Sequence, residues 1–185
     1  GLEAYAFDNI GGAHKKIAEK YAQKIESNSL VVLRTDSALF YFNMSLKIRK
    51  AIDDKKGIAN TLNNIGELYQ TIGKYEDAEA HLNEALIIRK QLNNKNDIAF
   101  SLTNLAALNY RLGKIDLAKK YADEALAIAT ELGFPENIKR ITKLLNELYY
   151  VKGDYKKSLE MYKSGYKSPF TSPTVTPSPN PIKEP

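Results

Sequence analysis

Residues 58–86 read IANTLNNIGELYQTIGKYEDAEAHLNEAL, and residues 98–126 read IAFSLTNLAALNYRLGKIDLAKKYADEAL. At an offset of forty, Ile58-Ala59 returns as Ile98-Ala99. Leu62, Asn64 and Leu68 return as Leu102, Asn104 and Leu108, and Glu84-Ala85-Leu86 as Glu124-Ala125-Leu126. So many matches at one offset mark an internal repeat. A repeat of this length is one supersecondary unit that buries its apolar face only by stacking on its neighbours.

Each unit has two helical halves. Ile58, Leu62, Ile65, Leu68 and Tyr69 form a stripe of 3.6-residue period. Gly73 follows, free to take the left-handed conformation that closes a helix. Ala78, Leu82, Ala85, Leu86 and Ile88 form the second stripe. Polar breakers, Asp53-Asp54-Lys55-Lys56 and Asn93-Asn94-Lys95-Asn96, separate the units. The last junction is Gly133-Phe134-Pro135, with Pro135 suited to a first helical turn.

The turn glycine recurs as Gly73, Gly113 and Gly153. Five residues later come Ala78, Ala118 and Ser158, and seven beyond those Ala85, Ala125 and Gly165. One period upstream stand Ala38, Phe42 and Ser45, with Leu33 at the glycine position, so an N-terminal unit completes a set of about four. The small residues mark where antiparallel helices cross about 8–10 Å apart. A larger side chain there would overpack at a cost of about 1–3 kcal/mol. The predicted fold is all-α, a right-handed α-solenoid of antiparallel helix pairs.

Outward from the central units, the sequence predicts a first helix over Ala13–Glu26, after Gly11-Gly12, and its partner over Asp36–Ile52. Residues 1–12 read as a lead-in, or in part as the start of the first helix, and 13–167 as the repeat domain. Residues 168–185 carry six prolines among Ser, Thr and Asn and read as an extended tail. That tail is either a free linker or a strand lying in a groove, its own or a neighbour's.

Composition narrows the class. Across 185 residues, 43% hydrophobic and 26% charged is ordinary for a globular domain. The apolar run Leu30-Val31-Val32-Leu33 is far short of a membrane span. With no cysteine there is no disulfide frame, thiolate metal site or thiol nucleophile. The net charge of +5 admits nucleic acid, but the basic residues alternate with Asp and Glu as on solvated helix faces. Gly1 in place of Met reads as a trimmed N-terminus, which leaves the compartment open between cytoplasm and bacterial periplasm.

The pattern resembles the tetratricopeptide repeat family. Unit two supplies Leu62, Ile65-Gly66, Tyr69, Gly73, Tyr75, Ala78, Leu82 and Ala85. Unit three supplies Leu102, Leu105-Ala106, Asn109, Gly113, Ile115, Ala118, Ala122 and Ala125, and unit four Leu145-Asn146, Tyr149, Gly153, Tyr155, Ser158, Tyr162 and Gly165. Asn109 and Ala122 replace aromatics, Asn146 replaces a glycine, and the period exceeds the usual 34 residues. The longer form is used by bacterial regulators and by scaffolds such as kinesin light chain, and Asp54 to Ala59 looks especially like bacterial signalling proteins.

The resemblance implies a protein-binding module whose first helices line a concave face holding an extended peptide. The inward positions it implies are Asn60, Asn63, Asn64, Glu67 and Gln70 in unit two. In unit three they are Phe100, Thr103, Asn104, Ala107, Tyr110 and Arg111, and in unit four Arg140, Lys143, Glu147 and Tyr150. Asn64 and Asn104 share one place, so their amides either ladder along a guest backbone or satisfy neighbouring helices. Phe100 and Tyr110 offer an apolar pocket or inter-helix packing. Arg111, Arg140 and Lys143 form a basic spot for a carboxylate or a solvated face. The chaperone-tail clamp of the family does not fit: Asn63 replaces its Lys, Glu67 its Asn and Leu144 its Arg.

Enzyme readings find little. His14 and His81 lie on different predicted helices, and His81-Leu-Asn-Glu84 lacks the second histidine of a zinc protease motif. No cofactor or metal is expected. Partners are a protein or peptide, with self-association open because the last pair presents an apolar end. Two further readings stand beside the scaffold: a sensory or regulatory segment of a larger bacterial signalling protein, such as a histidine kinase or transcription regulator, and nucleic-acid binding.

Overall fold

The computed structural model describes residues 1–22 and 28–166. The predicted tail and the end of the first predicted helix near Glu26 lie outside the described residues. Among the described residues there are eight helices and no strand. They are α1 Leu2–Ala22, α2 Asn28–Ala51, α3 Lys55–Thr71, α4 Tyr75–Gln91, α5 Lys95–Arg111, α6 Ile115–Leu132, α7 Pro135–Val151 and α8 Tyr155–Tyr166.

Consecutive helices pack as pairs, α1 with α2 through α7 with α8. Left-handed turn residues punctuate the chain every twenty positions: Asp53, Gly73, Asn93, Gly113, Gly133 and Gly153 all have φ between 52° and 77°. Glycine takes this conformation without strain, and Asp and Asn tolerate it better than other residues. Caps fix the restarts. The Asp54 carboxylate accepts from the Gly57 N–H at 2.9 Å, and the Asn94 side chain from the Asp97 N–H at 3.2 Å.

The cores follow the predicted stripes. Leu62, Ile65, Leu68, Ala78, Leu82 and Ala85 are buried, as are Leu102, Leu105, Leu108, Ala118, Ala122 and Ala125. Each large aliphatic side chain removed from water contributes about 1.5–3 kcal/mol. The close crossing is Gly66 against Leu82, where an added Cβ would lie 2.7 Å from Leu82 Cγ. Unit three closes the same crossing with Ala106 and Ala122, and unit four with Asn146, whose side-chain oxygen accepts from Ser158 Oγ at 2.5 Å.

The first pair differs from the sequence reading. α1 begins at Leu2 and runs through Gly11-Gly12, and α2 begins at Asn28 rather than Asp36. The reason is packing. Gly11 sits inside α1 because Phe42 approaches it: a Cβ would meet the ring at 2.8 Å. Val31 and Thr35 extend the buried stripe of Ala38, Phe42 and Leu46 backwards, so α2 is 24 residues long where α4 is 17. A longer second helix draws its partner back along the chain, out of the forty-residue register.

The curvature has a direct cause. The backbones of neighbouring first helices approach closely, α1 with α3, α3 with α5 and α5 with α7, whereas those of neighbouring second helices do not, Lys90 of α4 reaching Glu124 of α6 only through long side chains at 3.8 Å. The array therefore bends toward its first helices, which form the inner wall.

Candidate functional site

The inner wall is built from α3, α5 and α7, with α1 closing it at one end. A chain of polar contacts crosses all four helices. Lys15 Nζ of α1 donates to Glu67 Oε2 at 2.5 Å and to Asn64 Oδ1 at 3.3 Å. Glu67 Oε1 accepts from Asn63 at 2.9 Å and from Asn104 at 2.8 Å. Asn104 also donates to Asn63 Oδ1 at 2.9 Å, and its own Oδ1 accepts from Arg140 Nη2 at 2.6 Å.

Within this network the wall amides stand differently. Asn63 and Asn104 are buried, and every polar atom of the Asn104 side chain is engaged within the chain. Asn64 is half-buried and keeps its amide donor unused among the described residues. Charged groups on hydrogen-bonded amides and on one another make strong contacts.

Phe100 lies between two guanidiniums, Arg140 at 4.6 Å and Arg89 at 5.5 Å from its ring centre. Arg89 is buried. It donates to Ser101 Oγ at 2.6 Å, to Asn60 Oδ1 at 2.9 Å and to the Asp97 carbonyl at 3.3 Å, with no carboxylate of its own. Burial pulls the pKa of both arginines below the usual guanidinium value, while Asp97 and Glu67 oppose this at Arg89, and Glu67 at Arg140. Both remain cations at neutral pH. Arg140 nonetheless keeps part of its surface exposed.

Two adjoining depressions run along the wall. One, about 210 Å³, is lined by Glu19, Glu67, Gln70, Thr71, Asn104, Ala107 and Arg111. The other, about 260 Å³, is lined by Thr103, Asn104, Ala107, Arg140, Lys143, Leu144 and Glu147. Asn104 and Ala107 are common to both. Glu19, Arg111, Lys143 and Glu147 form no ion pair among the described residues.

The expected positions thus divide. Gln70, Ala107, Arg111, Lys143 and Glu147 line the trough, and Glu67, Asn104 and Arg140 link its depressions. Thr103 turns its hydroxyl back onto the Ala99 carbonyl at 2.7 Å. Asn60 is spent on Arg89, Tyr110 packs on the core cluster, and Tyr150 stands exposed against Tyr155 at 5.4 Å. Of the histidines, His14 stacks on Tyr41 and the His81 Nδ1–H donates to the Asp77 carbonyl at 2.8 Å.

Sequence reasoning missed Lys15, Glu19 and Arg89. The α1 residues carry no repeat register, so nothing aimed them at the wall. Arg89 did leave a signal. Ile88-Arg89-Lys90 repeats Ile48-Arg49-Lys50, and Arg49 is likewise buried, bonded to Ser45 and paired with Asp8 and Asp54 at 2.5 Å each. No group of three His, Asp or Glu among the described residues could hold a metal, and no helix there is long and apolar enough to cross a membrane.

Comparison with known proteins agrees with this architecture. A family model described as Tetratricopeptide repeat matches residues 33–91 and 97–168. No curated protein sequence matches the chain. Among solved structures it is similar to BtubC (BKLC) from P. vanneervenii, at 22% identity and TM-score 0.64, covering 96% of this chain and 72% of that one. It is similar to a Podosopora anserina putative kinesin light chain with nearly identical repeats, at 14% identity and TM-score 0.62, covering 83% and 72%. It is also similar to a Rap protein complexed with Competence and Sporulation Factor, at 22% identity and TM-score 0.66, covering 89% of this chain but 53% of that one.

Proposed function

Because the chain belongs to the tetratricopeptide repeat family, we propose that it is a protein-interaction scaffold whose inner wall holds an extended polypeptide segment. The inner wall offers two adjoining depressions that share Asn104 and Ala107. The observation that carries the reading is the charge left over there. Arg140 is bound to a neutral amide and the Phe100 ring, and with Lys143 and Arg111 it outnumbers the unpaired trough acids Glu19 and Glu147. A carboxylate on a guest would complete Arg140 and Lys143 with charge-assisted hydrogen bonds. Asn64 adds an unused amide donor for a guest carbonyl.

The test is binding of arrayed extended peptides to the full chain, wild type against Lys143→Glu. Lys143 is exposed, so the substitution spares the core. Affinity for acid-bearing peptides falls about tenfold, the equivalent of about 1.4 kcal/mol. Equal binding by both proteins would reject the wall as the site.

A second reading is a regulatory segment of a larger signalling protein. It is favoured by the likeness to the Rap protein, of whose length this chain spans about half. In that reading the guest is a signal rather than a client, and its binding alters what the rest of the larger protein does.

A further inference from the structure

The trough does not stop at the inner face of α7. A third depression, about 340 Å³, lies at the end of the array between α7 and α8, and Arg140, Lys143 and Glu147 line both it and its inner-wall neighbour. Its size falls within the range of about 300–1,000 Å³ usual for ligand pockets.

The repeat explains why it is open. In unit three the equivalent surface is Leu102, Ala106, Ala122 and Ala125, all fully buried, with α7 packed on α5 and α6. Forty residues on, the same places hold Thr142, Asn146, Tyr162 and Gly165, and all four line the depression. Asn146 stands where the other units have Gly66 and Ala106, and Tyr162 keeps the aromatic that Ala122 lacks, so this surface is more polar and bulkier than its unit-three counterpart. What remains is a cleft with an aromatic and a methionine, Met161, in its wall. Its charged rim is Lys139, Arg140 and Lys143 against Glu136 and Glu147, one cation in excess, with none of the five in an ion pair among the described residues.

We propose that this end depression is a second pocket of the inner-wall site, taking a bulky apolar side chain of an acidic polypeptide segment whose carboxylate bridges Arg140 and Lys143. The proposal rests on the inner-wall reading and extends the guest's path round the end of α7. Apolar anchors in desolvated pockets beside paired charges are where interfaces concentrate their energy. Charge complementarity selects the occupant: the excess of rim cations calls for acid. Residues 167–185 of this chain offer Phe170 but set Lys167 and Lys183 against the one acid Glu184, so by charge the chain's own tail is the poorer match.

The probe is an array of fluorescein-labelled Gly/Ser octapeptides, each with one variable apolar position and one variable charged position, read by fluorescence polarisation on the full chain. Peptides pairing Phe or Leu with Asp or Glu bind, and their Lys counterparts do not. Tyr162→Glu, at a side chain half open to solvent, weakens binding at least tenfold with an unchanged melting temperature. So does Ala107→Tyr, which plugs the inner wall. Loss with Ala107→Tyr but not Tyr162→Glu overturns this inference and leaves the inner-wall reading standing. Binding unchanged by either variant overturns both. Affinity that rises on removing residues 168–185 assigns the pocket to the tail, and a dimer abolished by Tyr162→Glu assigns it to a second copy. Either result refutes the proposal.

Discussion

Gly66 and Leu82 are expected to behave as one unit of packing, and a double-mutant cycle measures it. A Cβ at position 66 would lie 2.7 Å from Leu82 Cγ, 2.9 Å from Cδ2 and 3.3 Å from the Ala78 carbonyl oxygen. Gly66→Ala alone therefore overpacks by about 1–3 kcal/mol. About 1 kcal/mol of that returns from better helix propensity. The net loss is about 1 kcal/mol. Leu82 is fully buried, so Leu82→Ala alone costs about 3 kcal/mol, within the usual range of about 2–5. In the double variant the new methyl enters space the leucine has left, and only the propensity gain survives. The pair then costs about 2 kcal/mol against about 4 for the sum, a coupling of about 2 kcal/mol. Unit three already carries this solution, Ala106 with Ala122, both fully buried. Urea unfolding of the four proteins gives the cycle. Additivity within about 0.5 kcal/mol would refute the crossing argument.

Other expectations follow from the turns, the wall and the caps. Gly73→Ala loses about 1–2 kcal/mol by thermal melting although nothing crowds the site, because φ is +76° there. Gly73→Asn loses less than half of that, since Asn93 already takes this conformation. Glu67→Ala strands the largely buried Lys15 and costs about 2–3 kcal/mol in urea, and adding Lys15→Met recovers much of it. The Asp154 carboxyl is held below its ordinary pKa, first by the Lys157 backbone N–H and then by the Lys157 ammonium. Its contribution to stability is thus whole above the unfolded carboxyl pKa and disappears as pH falls through the lower folded value. Carboxyl-detected NMR titration finds that depressed value, and Lys157→Ala moves it part of the way back; an unmoved titration would leave only the backbone N–H at work.

The repeat was legible because packing repeats. Ala78, Leu82 and Ala85 could be placed from spacing alone, and their burial matches. α1 was not legible, because Gly11 serves Phe42 at a place no period predicts. Two glycines in a row look like a break until a ring is seen against one of them. The same holds for the wall. Family register placed Asn63, Glu67, Asn104 and Arg140 near one another, but not the lysine from α1 that binds Glu67 or the arginine from α4 beneath Phe100. Long side chains from non-adjacent helices settle which wall amides are already spent. Such contacts depend on curvature, which no local pattern encodes.

The most direct measurement is site-specific photo-crosslinking with an acid-bearing peptide from the array. Benzoylphenylalanine stands in turn at Gln70, a long side chain on the trough wall, and at Ala80, exposed on α4. The account predicts a peptide adduct from position 70 and none from position 80. Adducts from position 80 alone, or equally from both, would contradict it.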